Sequence, residues 1–129
     1  MIPESISSLV YNLKYPIIWT LGIWILSLVG FITMVDYNET YSGVAFASCT
    51  FLTFVGAIPL IKHEKNILHY IFGILACVTS QLWVLLVGDW ITLLVLWVMY
   101  GLWIIITKDK NWCFLAEIWC LINIILTLI

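Results

Sequence analysis

The chain has 129 residues, of which 64 % are hydrophobic and only 9 % are charged, whereas soluble domains average about 45–50 % and about 25 %. Its 5 basic and 7 acidic residues are too few to keep the surface of a soluble fold of this length dispersed in water, so the lipid bilayer is the expected solvent. The net charge is −2 and every basic residue is a lysine, which argues against a surface that binds nucleic acid.

Residues 1–14 are predicted to form a short amphipathic helix that lies in the membrane interface. Four apolar residues recur there at the spacing of one helix face: Ile6, Leu9, Val10 and Leu13. An apolar stripe flanked by serine and asparagine is typical of a helix at headgroup level. Pro16 marks the point at which the chain bends into the membrane.

Five apolar stretches follow, and each approaches the roughly 20 residues that a helix needs to cross about 30 Å of hydrocarbon. They are residues 17–35, 41–61, 67–88, 90–107 and 112–129. The third and fourth are separated only by Gly88-Asp89, a turn-like pair that predicts a tight antiparallel hairpin. The predicted fold is an all-α integral membrane protein, a single five-helix transmembrane bundle with a short N-terminal interfacial helix.

The lysines all fall on one side of such a bundle. Lys14 precedes the first span, and the others lie in the second and fourth connections: Lys62, Lys65, Lys108 and Lys110. Positive residues are retained in the cytoplasm, so we expect a cytoplasmic N-terminus and an extracytoplasmic C-terminus in a bacterial or phage-encoded inner-membrane protein. Because the last span is short and contains Glu117, four crossings with a re-entrant or surface-lying tail is the alternative.

Small residues predict where the second and third spans meet. Helices in lipid associate through close packing at such residues, and Gly43 and Ala47 on the second span match Gly73 and Cys77 on the third. Five thin spans also leave much apolar surface. Besides membrane lipids, the expected partners are copies of the same chain or another membrane protein.

Polar residues within the spans are the candidate site. Glu117 is the one formally charged residue inside a predicted span, where a carboxylate costs roughly 2.5–3.5 kcal/mol, and His69 lies at a comparable depth. We expect the two to face each other, or to share water, near the cytoplasmic side. With Ser80, Gln81 and Asn123 they are the candidate ligand or ion pathway. The structural alternative is that Glu117 snorkels to the interface and that the amides only join helices.

The sequence predicts neither a metal site nor a cofactor. His63 and His69 are six residues apart and fall on different helix faces. Cys113, Glu117 and Cys120 share one face, but two thiols and a carboxylate without a histidine make a poor metal site. The two histidines fall at the opposite end of the bundle from Asp36 and Asp89. Only Asp109 could join them, so an enzyme is not favoured.

The leading functional interpretation is a small transporter or channel-like protein, oligomeric, with a polar interior near the cytoplasmic side. The alternative is a non-catalytic structural or accessory subunit of a membrane complex. A holin-like membrane-lesion protein is a third hypothesis, less favoured because such proteins usually end in a charged tail whereas residues 126–129 are mostly apolar.

Overall fold

A computed structural model describes residues 7–61, 67–108 and 110–129 of the chain. These residues form helices and contain no strand. The five α-helices are α1 (Pro16–Tyr37), α2 (Ser42–Ile61), α3 (Ile67–Val87), α4 (Trp90–Thr107) and α5 (Trp112–Leu128). A 3-10 helix, Ser7–Asn12, precedes α1, and a second one, Glu39–Tyr41, joins α1 to α2. Lys62, His63 and Lys65 lie outside the described residues.

The helices begin at residues suited to that position. Pro16 opens α1, where its missing N–H is not needed for the helix. Asp89 caps α4: its carboxylate accepts a hydrogen bond from the Ile91 backbone N–H at 3.0 Å and one from the Thr92 hydroxyl at 2.8 Å. Such a cap satisfies a backbone donor that the first turn leaves open.

Four of the helices, α1 to α4, are long and apolar enough to cross a membrane. The all-helical, membrane-compatible fold that the composition predicts is confirmed to this extent. Helix α5 is also apolar but has only 17 residues, which as a helix reach about 25 Å, somewhat less than a hydrocarbon core of about 30 Å. A full crossing by α5 stays a prediction.

The helices pack in an order that only partly follows the chain. α2 packs between α1 and α3, α5 lies against α3, and α4 lies along the edge of both α3 and α5. We call the two ends of the bundle the Lys14 end and the Asp89 end, after a residue that lies at each. α1, α3 and α5 run from the Lys14 end to the Asp89 end. α2 and α4 run back. The contact between α3 and α5 therefore joins two parallel helices.

Hydroxyl groups and one glycine hold α1 against α2. The Thr20 hydroxyl donates to the Gly56 carbonyl at 2.7 Å, and the Ser27 hydroxyl donates to the Cys49 carbonyl at 2.5 Å. A Cβ on Gly56 would stand 3.0 Å from Ile23 Cγ2, closer than most side chains tolerate. Close backbone approach and interhelical hydrogen bonds are the means by which helices associate in lipid.

Larger side chains carry the contact of α2 with α3. The rings of Phe54 and Phe72 are stacked with centroids 5.0 Å apart, and the Ser48 hydroxyl donates to the Ala76 carbonyl at 3.4 Å. Both Ser48 and Ala76 are buried. The two helices therefore meet through aromatic packing and small buried residues. The sequence predicts a contact between them through small residues but not its aromatic part.

The four residues that the sequence predicts at the contact of α2 with α3, Gly43, Ala47, Gly73 and Cys77, have different surroundings. A Cβ on Gly43 or Gly73 would have no atom within 4 Å, so neither glycine is a point of close approach in this structure. Ala47 is half-buried. Cys77 lies beside Cys120 and so faces α5.

The 3-10 helix before α1 packs against the bundle at the Lys14 end. It touches α1 and α2, Val10 is completely buried, and the Tyr11 ring meets the His69 ring edge-on at 5.5 Å. The sequence predicts a helix within residues 1–14, and the structure has a 3-10 helix over Ser7–Asn12; residues 1–6 lie outside the described part. A position in the membrane interface stays a prediction.

Helix α4 is the least buried of the five. Leu93 is its one buried residue. Between α3 and α4 an open groove of about 410 Å³ is lined by apolar residues, among them Leu85, Leu94, Trp97 and Val98. In a membrane, this face meets lipid or another protein.

Candidate functional site

A row of polar side chains runs along the interface between α3 and α5. We call it the polar column, and its members are Cys77, Ser80, Gln81, Glu117, Cys120, Asn123 and Thr127. Successive members on α5 are three or four residues apart and therefore lie along one side of that helix. Because α3 and α5 run parallel, the column extends from near the Lys14 end to the Asp89 end.

The side-chain amide of Gln81 is the centre of the column. Its nitrogen donates to the Cys120 carbonyl at 3.2 Å and to the Ser80 hydroxyl at 3.4 Å. Its oxygen accepts from the Trp97 indole N–H at 3.1 Å and from the Asn123 amide nitrogen at 2.7 Å. One side chain therefore joins three helices, because Trp97 lies on α4 and Asn123 on α5.

These contacts fix the orientation of the Asn123 amide. The indole N–H of Trp97 can only donate, so the Gln81 atom that it meets is the oxygen. The Asn123 atom that lies 2.7 Å from that oxygen must then be the nitrogen. The Asn123 oxygen consequently points elsewhere, and within the described part of the chain it has no hydrogen-bond partner.

This oxygen is deeply buried, since the Asn123 side chain is only 1 % exposed. A buried acceptor without a donor costs about 1–3 kcal/mol. Native structures satisfy most such groups with protein, water or ligand. The Asn123 oxygen is therefore an acceptor that a hydrogen-bond donor would stabilise.

The part of the column toward the Lys14 end contains the acidic residue. The Cys77 and Cys120 side chains lie beside each other, and the Glu117 carboxylate lies near enough to interact electrostatically with both. Glu117 is half-buried. The structure therefore places Glu117 inside the bundle, next to polar groups of α3.

His69 lies farther toward the Lys14 end. It is completely buried, and its ring packs edge-on against Tyr11 at 5.5 Å and against Tyr70 at 5.9 Å. Cys77 of α3 lies beside Cys120 of α5. Because the two helices run parallel, Glu117, three residues before Cys120, lies at the same height as Ile74, three residues before Cys77. His69 lies five residues beyond that level, about 8 Å along the helix. The direct pairing of Glu117 with His69 stays a prediction.

A cavity of about 220 Å³ adjoins the column at the Asp89 end. We call it the Asp89 cavity. Its polar lining comes from α1, α5 and the turn into α4: Tyr37, Asp89, Thr92, Asn123 and Thr127. Leucine and valine side chains form the rest of its wall. The Asn123 side chain therefore borders this space, while its unsatisfied oxygen is itself buried in the helix interface.

Asp89 gives this cavity a negative charge at neutral pH. The hydroxyl of Thr92, and after it the backbone N–H of Ile91, donate to the carboxylate and hold the pKa of Asp89 below its ordinary value. The group is fully exposed, and its hydrogen bonds favour the ionised form.

Trp97 and Thr127 were missed by the sequence reasoning. Thr127 follows Asn123 by four residues and continues the polar face of α5, a periodicity that could have identified it. Its hydroxyl donates to the Asn123 carbonyl at 2.8 Å. Trp97 carried no such signal, since a tryptophan in an apolar span is indistinguishable from one that faces lipid.

The arrangement is suited to holding a hydrogen-bond donor or passing a proton rather than to nucleophilic catalysis. Its groups are amides, hydroxyls, thiols and one carboxylate within a helix interface. Among the described residues, no group of three or more histidine, cysteine or acidic side chains is placed to hold a metal ion.

Comparisons of the chain with protein-family models, with curated proteins and with solved structures find no match. The polar column and the Asp89 cavity are therefore the features from which a function is inferred.

Proposed function

We propose that the protein is a small membrane transport protein in which the polar column carries a proton or a small cation across the bilayer. The observation that supports this proposal is the continuity of the column. Polar side chains follow one another from Glu117, through Gln81 and Asn123, to Thr127 and the Asp89 cavity. Polar and ionisable groups are costly within a membrane, and those that occur there often line a pathway.

The proposal includes five crossings. Lys14, Lys108 and Lys110 lie at one end of the bundle, and Asp36 and Asp89 lie at the other. Positive residues are retained in the cytoplasm, which gives a cytoplasmic N-terminus and an extracytoplasmic C-terminus in a bacterial or phage-encoded inner membrane. A helix as short as α5 crosses when the bilayer thins locally or flanking residues snorkel, at a modest cost.

Glu117 has the central chemical role in this proposal. It is the carboxyl-bearing member of the column, and it lies near the Cys77 and Cys120 thiols. A carboxyl group in such a place can take up a proton from one side and release it to the other. It can also balance the charge of a cation that passes.

The test replaces this carboxyl group with an amide of the same size. Purified wild-type protein and the Glu117→Gln variant are reconstituted in liposomes, and a membrane potential drives proton entry, which a trapped pH-sensitive dye reports. We expect flux above that of protein-free liposomes for the wild type, and a reduction of about tenfold or more in the variant, comparable to the loss of a group that transfers protons.

The matched control is Glu39→Gln, which makes the same change in the exposed connection between α1 and α2. Its flux should equal that of the wild type. Equal flux in all three proteins, or no flux above protein-free liposomes in any, contradicts the proposal.

An accessory subunit is the second candidate, and the exposure of α4 favours it. Leu93 is the one buried residue of this helix, so most of its surface is available to lipid, to a second copy of the chain or to a partner membrane protein. Absence of flux together with co-purification of a membrane partner would favour this candidate. Self-association through α4 is compatible with both.

A further inference from the structure

We propose that Cys77 and Cys120 are a redox-active pair of thiols that a membrane quinone oxidises to a disulfide between α3 and α5. The inference goes beyond the proposed transport function and does not depend on it. It rests on the positions of the two side chains, which face each other halfway along their helices.

Hydrogen bonds around Gln81 set the register of α3 with α5 and bring the two thiols together. The Gln81 amide nitrogen lies 3.2 Å from the Cys120 carbonyl oxygen, and its amide oxygen lies 2.7 Å from the Asn123 amide nitrogen. Cys77 precedes Gln81 by about one turn of α3, and Cys120 precedes Asn123 by nearly one turn of α5. Because the helices run parallel, the thiols of Cys77 and Cys120 lie beside each other, one turn from the bonded amides.

Both thiols lie far from the ends of their helices. Cys77 is at the middle of Ile67–Val87, and Cys120 is at the middle of Trp112–Leu128. At 1.5 Å per residue, about 12–15 Å of helix separates each cysteine from either helix end. Cys120 is only 5 % exposed, whereas Cys77 is half-buried and keeps part of its surface open. In a bilayer, an oxidant must therefore dissolve in the hydrocarbon to reach Cys77.

This depth selects the chemical class of the oxidant. Glutathione disulfide and other charged oxidants enter hydrocarbon only at a high cost in free energy. A membrane quinone is soluble there and accepts two electrons and two protons. Each thiol gives up one proton and one electron, a bond forms between the two sulfur atoms, and the quinone becomes a quinol. The Glu117 carboxyl group lies near both thiols and can carry their protons toward the quinone.

The reaction is measured on the full chain, purified under reducing conditions and reconstituted in liposomes that contain decylubiquinone. Free thiols are trapped with N-ethylmaleimide in denaturant, and peptide mass spectrometry locates the disulfide. We expect the free cysteines to fall from 4 to 2 per chain, with one quinol formed and a peptide pair that links Cys77 to Cys120. Ferricyanide, a charged oxidant that stays in water, should act at least about tenfold more slowly.

Serine variants identify the thiols that react. Cys77→Ser and Cys120→Ser should each abolish quinol formation, and circular dichroism checks that the helices persist in each. Cys113→Ser is the matched control, because it makes the same change on α5, two turns before Cys120. This control should reduce the quinone at the rate and with the yield of the wild type.

The inference is overturned if no quinol forms, if the disulfide joins other cysteines or two chains, or if ferricyanide acts as fast as the quinone. Equal loss of activity in Cys113→Ser and Cys77→Ser would also overturn it. None of these outcomes changes the result of the proton-flux test, which contains no quinone. Conversely, quinone reduction without proton flux would uphold the thiol pair and reject the transport proposal.

Discussion

Replacing Gln81 with methionine is expected to destabilise the fold by roughly 2–4 kcal/mol. Methionine has nearly the same length and volume, so packing is conserved. The change removes the bonds of Gln81 to Cys120, Trp97 and Asn123. Hydrogen bonds between membrane helices contribute about 0.6 kcal/mol on average and up to about 1.7 kcal/mol. The Trp97 and Asn123 donors would also be left without an acceptor, which lowers the free energy of unfolding further.

The measurement is equilibrium unfolding in mixed micelles, followed by circular dichroism, with Thr33→Val as the control. Thr33 is exposed, and its hydroxyl bonds only to the Val29 carbonyl of its own helix, so its loss should change stability by less than about 0.5 kcal/mol. A double-mutant cycle with Trp97→Phe should give a coupling of about 1 kcal/mol with Gln81→Met. Additive effects, or equal stability of Gln81→Met and Thr33→Val, would show that Gln81 does not join the helices.

Replacing Gly56 with leucine should separate α1 from α2. Even the first carbon of the new side chain would stand 3.0 Å from Ile23 Cγ2, and the remaining three carbons have to displace α1. Overpacking of this kind costs typically about 1–3 kcal/mol and occasionally more. The displacement also lengthens the bond from the Thr20 hydroxyl to the Gly56 carbonyl, now 2.7 Å.

Gly22→Leu is the matched control for this prediction. Gly22 lies on α1, is exposed, and would have no atom within 4 Å of an added Cβ. In mixed micelles, the denaturant concentration at the unfolding midpoint should therefore be close to that of the wild type for Gly22→Leu and lower for Gly56→Leu. If both variants unfold together, α1 and α2 do not approach closely at Gly56.

The positions of the helices were predictable because polar groups interrupt the apolar runs. The polar run that starts at Asp36, the Gly88-Asp89 pair and the lysine-containing connections divide the chain. The bounds of all five helices fall within two residues of the predicted ones, and α1 continues past Asp36 to Tyr37. The N-terminal helix differs in kind, since Ser7–Asn12 is a 3-10 helix. Periodicity over so few residues does not separate two helix types whose side chains both recur after three or four positions.

The partners of each helix face were less predictable. A stripe of small residues indicates a packing face but does not name the helix that covers it. Gly43 and Gly73 have open space beside them, whereas Gly56 meets Ile23 of α1. The contact of α3 with α5 joins helices that are not consecutive. The expected pairing of His69 with Glu117 required these two helices to meet, but it did not indicate that Gln81 and Asn123 join them.

In the candidate site, too, the residues were easier to predict than their contacts. Gln81 and Asn123 were candidates because amides are unusual in an apolar span, and the structure brings them within 2.7 Å of each other. Ser80 bonds to Gln81. Glu117 lies in the same column, but its pairing with His69 depends on rotations of both helices that composition does not specify. The Asp89 cavity depends on four helices at once and has no signature in any one of them.

Labelling of engineered thiols tests most directly whether the polar column crosses the bilayer. With the native cysteines replaced by alanine, Lys14→Cys and Ile129→Cys variants are exposed in intact bacterial spheroplasts to a maleimide that does not cross membranes, before and after permeabilisation. Ile129→Cys should react in intact spheroplasts, and Lys14→Cys only after permeabilisation. Reaction of both variants under the same condition would place the two ends of the chain on one side, so that α5 does not cross and the polar column cannot connect the two compartments.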